Sequence, residues 1–363
     1  MKKITTLVLL ACSATSVHAA QSCEILGGGE GYHTSVIEPP TRVTAHNYEQ
    51  LKSYVDQGEK NIFIAADTII TLPNKAHALN LKQGQTLFGD RGVNGSKGGK
   101  LVTPYIDNAE RKYAVITAGS GVKISGLRIE GPYKQSDTNN LTIGIQFLEE
   151  SKNIEVENNE IFGWPWAAIS VKRSIENKIH HNFIHNNIRT ERGYGVVVQN
   201  GQAQAEVYCN VFNANRHAIA GSGAAGEGYY AHHNLVMQGG GSGAYHQFDM
   251  HAYNGLGGEY VDIRYNWFDY GRYGTSNRSS MHMRAIPSNG PASVAWNIFS
   301  QGYNVGSQIA ISGVPGSVPE KTQAMAENSF NVGFSYKKEN GQCFLQYENK
   351  KQPVVCDALD ADL

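Results

Sequence analysis

The sequence predicts an all-β chain, a single-stranded right-handed parallel β-helix with three strands per coil. Three observations predict it: a recurring asparagine motif, its uneven spacing, and a second apolar strand inside every period. The motif is an apolar alternation, two further residues, Asn, one residue and another apolar one. It reads IEVENNEI around Asn159, NKIHHNFI around Asn182, AEVYCNVF around Asn210 and YYAHHNLV around Asn234. It returns as VDIRYNWF (Asn266), ASVAWNIF (Asn297) and QAMAENSF (Asn328), while VKISGLRI places Leu127 where the asparagine would stand.

Asparagine tolerates the left-handed backbone of a tight bend, and its amide bonds to neighbouring main chain, so one per coil would stack into a ladder. Successive asparagines are 23 residues apart from Asn159 to Asn182 but 32 apart from Asn234 to Asn266. A fixed motif with variable spacing means that the turn bearing it is constant while loops elsewhere grow. That is the signature of a structure that repeats coil by coil.

The further strands read IGIQF (143–147), AAISVK (167–172), YGVVVQ (194–199) and RHAIAG (216–221), then HQFDMH (246–251), SMHMR (280–284) and SQIAIS (307–312). Upstream, NYEQLKSYVDQG starts with a capping box, Asn47 and Gln50. Tyr48, Leu51 and Val55 then share one helical face, as expected of a short helix plugging the open end of the coils. The organisation expected is a signal peptide over 1–19, an N-terminal arm over 20–44, the β-helix over 45–335 and a polar tail over 336–363.

The first residues, MKKITTLVLLACSATSVHA, carry two lysines, a short apolar run and a small-residue site ending at Ala19, which reads as a secretory signal. Leu9-Leu10-Ala11-Cys12 also resembles a lipoprotein box. The apolar run before Cys12 is very short, so lipid anchoring there is the lesser reading. No later segment reaches the ~20 apolar residues needed to span a bilayer. The expectation is a secreted or periplasmic monomer. A net charge of −1 favours neither nucleic acid nor an anionic membrane. Export permits disulfides, and Cys343 and Cys356, close together in a tail without an evident core, are expected to pair. Cys23 and Cys209 would pair only if the arm folds back; otherwise Cys209 is a buried thiol. The glycine-rich GGGEG (27–31) reads as a linker.

HQFDMHAY (246–253) alternates apolar and polar residues, but its polar face carries an amide, a carboxylate and an imidazole. Period-two alternation turns Lys172, Gln199, Gln247, Asp249, His251, His282 and Arg284 outward, with Arg216 if Ile219 is buried; a bulge would instead expose His217. Coils stacked ~4.8 Å apart would merge these into one patch. The adjoining loops bring Tyr245, His246, Arg272 and Tyr273, and Trp164 and Trp166 read either as sugar-stacking platforms or as loop anchors. Asp249 could instead merely balance the arginines. His180, His181, His232 and His233 flank the asparagine turn, where bulky polar residues are common.

Over roughly 45–335 the chain resembles the pectate-lyase-like β-helix superfamily of secreted polysaccharide lyases, hydrolases and epimerases. The resemblance lies in the capping helix, LFGDRG, GVKISGLRIEG and the asparagine motif. MRAIPSNGPASVAWNIF (283–299) is similar to the Arg-x-x-Pro-plus-strand of the lyases, with Arg284 in the arginine's place. RHAIAGSG and FDMH resemble a bacterial branch that includes lyases of biofilm polysaccharides. The paired aspartates of the galacturonan hydrolases and the Asp-His calcium motif of the classical pectate lyases are absent.

The resemblance implies a polysaccharide-degrading enzyme, and the charged patch suits β-elimination from an acidic, uronate-containing exopolysaccharide. Arg216 and Arg284 would neutralise the substrate carboxylate, with calcium as the alternative cation and Asp249 its candidate ligand. His251 would be the base with Lys172 as substitute, Tyr245 or His282 the acid, and Asp249, where it does not ligate a metal, would orient or charge an imidazole. Gln199, Gln247, His246, Arg272, Tyr273, Trp164 and Trp166 would contact the sugar. The rival readings are a two-carboxylate glycoside hydrolase, a uronate epimerase and a non-catalytic polysaccharide binder.

Overall fold

The computed structural model describes residues 23–33, 41–106, 111–134, 140–240, 243–270, 279–303 and 309–360. Three parallel sheets run along its length. Sheet 1 extends from Val43–Thr44 to Ser293–Ala295, sheet 2 from Ile69–Thr71 to Ile298–Phe299, and sheet 3 from Leu79–Leu81 to Ile311–Gly313. Each coil adds one strand to each sheet and lies in register with the next. Val156 pairs with Ile124 on one side and Ile179 on the other, and the column continues through Val207, Ala231, Ile263 and Val294.

These columns of aliphatic side chains are the core, and each fully buried one contributes about 1.5–3 kcal/mol. Phe268, Phe299 and Phe330 continue it as a stack with ring centres 4.8 and 5.1 Å apart.

The asparagine ladder joins sheets 1 and 2. Asn182 shows the pattern: its Nδ2 donates to Val156 O (2.8 Å) and His180 O (2.9 Å), while its Oδ1 accepts from the Asn159 backbone N–H (2.9 Å). The expectation that asparagine itself takes the left-handed conformation is corrected. The residue before it does: His181, Cys209, His233, Tyr265 and Trp296 have φ of 51–57°. That conformation costs a non-glycine residue about 1–2 kcal/mol. The asparagine amide offsets the cost by adding a second bond to the carbonyl two residues back, as at His180 O, which also accepts from Asn158 N at 3.3 Å.

Helix α1 (Tyr48–Gln57) closes the first coil as predicted, with Leu51 and Val55 buried and Asn47 Oδ1 accepting from Gln50 N (2.9 Å). In the last motif, the strand expected before Asn328 is replaced by helix α2 (Lys321–Glu327). Asn328 still caps the ladder by accepting from Asn297 N (2.9 Å).

Both ends of the chain differ from expectation. The tail forms a three-stranded antiparallel sheet with a core of its own, in which Phe334, Leu345 and Val354 pack against Leu26, Val211, Leu235 and Trp267. GGGEG is no loose linker. A Cβ on Gly28 would lie 2.3 Å from His181 O and 2.5 Å from Asn158 Oδ1, so only glycine lets the arm approach the ladder this closely. Cys23 pairs with Cys209 and Cys343 with Cys356. No helix among the described residues is long and apolar enough to cross a membrane. The proposed signal peptide and Cys12 lie outside the described residues.

Candidate functional site

Strict alternation fails in sheet 3, and the failure shapes the site. Ala168 and Ile169 both belong to the core, as do Ala218 and Ile219. Ala167, Tyr194, Val197 and Ala220 pack in a separate cluster outside it. Each strand thus bends, placing two successive residues inward. Three outward rows result. The first holds Ala167, Tyr194, His217 and His246; the second Ser170, Val197, Ala220, Asp249 and His282. The third begins with Lys172 paired to Gln199 and, one place beyond the paired strands, takes in His251 and Arg284.

Asp249 is the centre of the flank. It is fully buried, yet Arg284 grips both carboxylate oxygens, Nε to Oδ1 at 3.1 Å and Nη2 to Oδ2 at 2.8 Å. His251 Nε2 lies 3.0 Å from Oδ2, and His217 Nε2 3.9 Å from the same oxygen. Burial pushes the carboxyl towards its neutral form, but the hydrogen bonds from His251 and Arg284 outweigh it and hold Asp249 well below the usual carboxylate range. Among the described residues it is the only carboxylate in the three rows.

A stack of imidazoles runs beside it. His217 and His246 have ring centres 5.7 Å apart, and His246 and His282 4.6 Å. His246 Nδ1 meets Ser279 Oγ at 3.2 Å, and His282 Nδ1 meets Ser312 Oγ at 2.9 Å. Burial pushes His217 down to about 3 and His246 down to about 4, and it lowers His282 as well. The stack is therefore neutral at pH 7. Arg216, just before its strand, acts electrostatically on His217 and His246, and its buried Nε and Nη1 have no hydrogen-bond partner among the described residues.

The structure thus gathers Arg216, His246, Asp249, His251, His282 and Arg284 on one flank, and adds His217. That residue was visible only through the bulge alternative, because an inward Ile219 alone does not reveal the bend. Tyr245, 51% exposed, sits at the rim, its ring 6.3 Å from that of His246.

Other expectations are corrected. Gln247 is drawn inward by the bend, where its Nε2 donates to Arg216 O (3.2 Å). Gln199 is buried and donates to Ser170 Oγ (2.6 Å). Lys172 lies three strand spacings from the His251 strand, roughly 14 Å, and pairs with Glu149 at 2.7 Å, so it cannot replace His251. Trp164 is wholly inside the coil, its Nε1 donating to Ile129 O (3.3 Å). Trp166 is 5% exposed and meets Tyr194 edge-on, an anchor with no open face. Arg272 and Tyr273 lie outside the described residues.

Calcium does not fit Asp249. A hard cation takes six to eight oxygens, whereas both of these oxygens already face cationic or N–H donors and no second carboxylate stands in the rows among the described residues. A separate convergence of Glu155, Glu157 and His180 on sheet 1 is filled by Lys123, whose Nζ is 2.8 Å from Glu155.

A family model described as right handed beta helix region matches residues 101–236. This chain is a right-handed parallel β-helix protein. No curated protein matches it. Among solved structures, an alginate lyase from Paenibacillus sp. str. FPU-7 is similar at 14% identity, covering 75% of this chain and 98% of that one, with a TM-score of 0.46. A DFA-IIIase from Arthrobacter chlorophenolicus A6 is 14% identical over 80% of this chain and 87% of that one, with a TM-score of 0.33. The Dettilon tailspike protein is 10% identical over 82% and 71%, with a TM-score of 0.31. The functional reading of this β-helix protein therefore rests on its own side chains.

Proposed function

We propose that this flank cleaves an acidic, uronate-containing exopolysaccharide, such as one of a biofilm matrix, by β-elimination outside the cytoplasm. The observation that carries the reading is a single buried carboxylate, Asp249, bound at once to a half-exposed imidazole and to an arginine. With Nε2–H donated to Asp249, His251 presents Nδ1 as a free lone pair. It takes the proton from the carbon beside the substrate carboxylate, and Asp249 opposes the positive charge the ring then acquires. The electron pair left behind forms the new C=C bond as the bond to the departing sugar oxygen breaks. That oxygen needs a proton, which the exposed Tyr245 hydroxyl supplies. Arg216 and the remaining N–H of Arg284 hold the substrate carboxylate while charge builds on it. Neutral His246 and His282 serve as hydrogen-bond donors to sugar hydroxyls.

Hydrolysis by paired acids is disfavoured. Among the described residues the flank has one carboxylate, and Glu227 beyond its edge is fully buried, accepting from Ser222 Oγ (2.6 Å), Gly201 N (2.8 Å) and Gly223 N (2.7 Å). His251→Ala is the test. An about 10³-fold loss of elimination at unchanged urea midpoint is expected; full activity in this variant would remove His251 as the base.

A further inference from the structure

The corner that carries the asparagine ladder carries a second one, made of the residues just before each asparagine. Over three successive coils these are His233, Tyr265 and Trp296, with ring centres 5.1 and 4.9 Å apart and planes 15° from parallel. In the next coil the same place belongs to Glu327, whose carbonyl accepts from Trp296 N at 2.6 Å. The aromatic stack therefore ends on Trp296. Tyr265 and the Arg264 guanidinium, 5.6 Å from the ring, both come from the preceding coil, and the indole is still 49% exposed.

A cavity of about 380 Å³ opens beside it, lined also by Trp267, Tyr347, Glu327 and Lys350. This is within the roughly 300–1,000 Å³ of small-molecule sites. Trp267 is 7% exposed, yet its indole N–H has no acceptor among the described residues. That N–H is closed off from solvent as well, so it takes no part in a site that opens to it.

We propose that this corner is a second carbohydrate-binding site, where a hexopyranose ring of a polysaccharide stacks on Trp296 and its hydroxyls meet Glu327 and Lys350. The inference rests on the reading that this protein handles polysaccharide. A sugar ring offers what the site can use: an apolar C–H face to extend the stack, and hydroxyls that bond the Glu327 carboxylate and the Lys350 ammonium at the cavity wall. The corner joins sheets 1 and 2, whereas the proposed catalytic flank lies on sheet 3, so the site tethers polymer away from that flank.

The test is saturation-transfer NMR of hexasaccharides of polymannuronate, polygalacturonate and β-1,4-glucan with the full chain. Transfer to ring C–H protons of at least one probe is expected in the unaltered protein and in His251→Ala. An at least tenfold weakening is expected in Trp296→Ala, and a smaller one in Lys350→Met. Equal binding by Trp296→Ala, or no transfer from any probe, would overturn the site. So would a concentration-dependent dimer that Trp296→Ala abolishes, since a second copy would then be the occupant. Because binding is read without turnover, loss of elimination in His251→Ala leaves this outcome untouched, and the two readings fail separately.

Discussion

Replacing Asp249 with asparagine changes one atom and a charge at the centre of the flank. The carboxylate accepts from Arg284 Nε, Arg284 Nη2 and His251 Nε2 at 3.1, 2.8 and 3.0 Å. A single amide oxygen can keep one or two of these bonds, and the NH2 group must face an N–H donor. Each charge-assisted bond is worth about 1.5–3 kcal/mol, and breaking a fully buried pair costs about 3–5. Arg284 and His251 are 35% and 38% exposed, so water replaces part of what they lose. The expected destabilisation is about 2–3 kcal/mol, read from urea unfolding. The effect on chemistry is larger, because His251 loses the acceptor that fixes its tautomer and balances its charge. Elimination should fall by about 10² or more, measured as the ultraviolet absorbance of unsaturated product well below the unfolding transition. An Asp249→Asn variant that is as stable and as active as the parent would refute both the geometry of the cluster and the role given to it.

Removal of a ladder rung should be severe. Asn234→Ala strips its partner from Val207 O (2.8 Å) and from the Asn210 backbone N–H (3.1 Å), at about 1–3 kcal/mol for each, while His232 O keeps the Cys209 N–H (3.3 Å); the loss is visible as a lower urea midpoint. Arg216→Ala should lower kcat/KM about 10²-fold on a uronate polymer without loss of stability, and Arg216→Lys should restore part of it. His217 and His246 have pKa values depressed below the unfolded value of about 6.5. Their contribution is therefore full above that pH and lost as pH falls through about 6.5 towards 3–4. Unfolding free energy should drop between pH 7 and 5, with His217→Gln flattening the slope by up to about 1.4 kcal/mol per pH unit.

The coils were legible because one rule generates them. An asparagine that must reach three main-chain groups and two apolar neighbours per turn leaves the same mark each time, and the intervals between marks reveal where loops grow. The capping helix was legible because Asn47, Leu51 and Val55 obey local rules. The bend in sheet 3 was not, since small residues such as Ala168 and Ala218 fit inside or outside, and period-two alternation therefore misplaced Gln247 and obscured His217. Trp164 is ambiguous for a related reason: at a coil corner the backbone leaves the strand, and no periodicity says which way the indole turns. The core of the tail was hidden by its polar composition, although Cys343, Leu345 and Tyr347 alternate towards it. Lys172 was overcounted by treating a row as a cluster, when each coil adds ~4.8 Å.

The most direct measurement exposes the protein to a panel of acidic polysaccharides while ultraviolet absorbance and reducing ends are followed together. Elimination at the Asp249–His251 flank requires both signals to rise in equal amounts with at least one uronate polymer. New reducing ends without the absorbance would contradict it and point to hydrolysis.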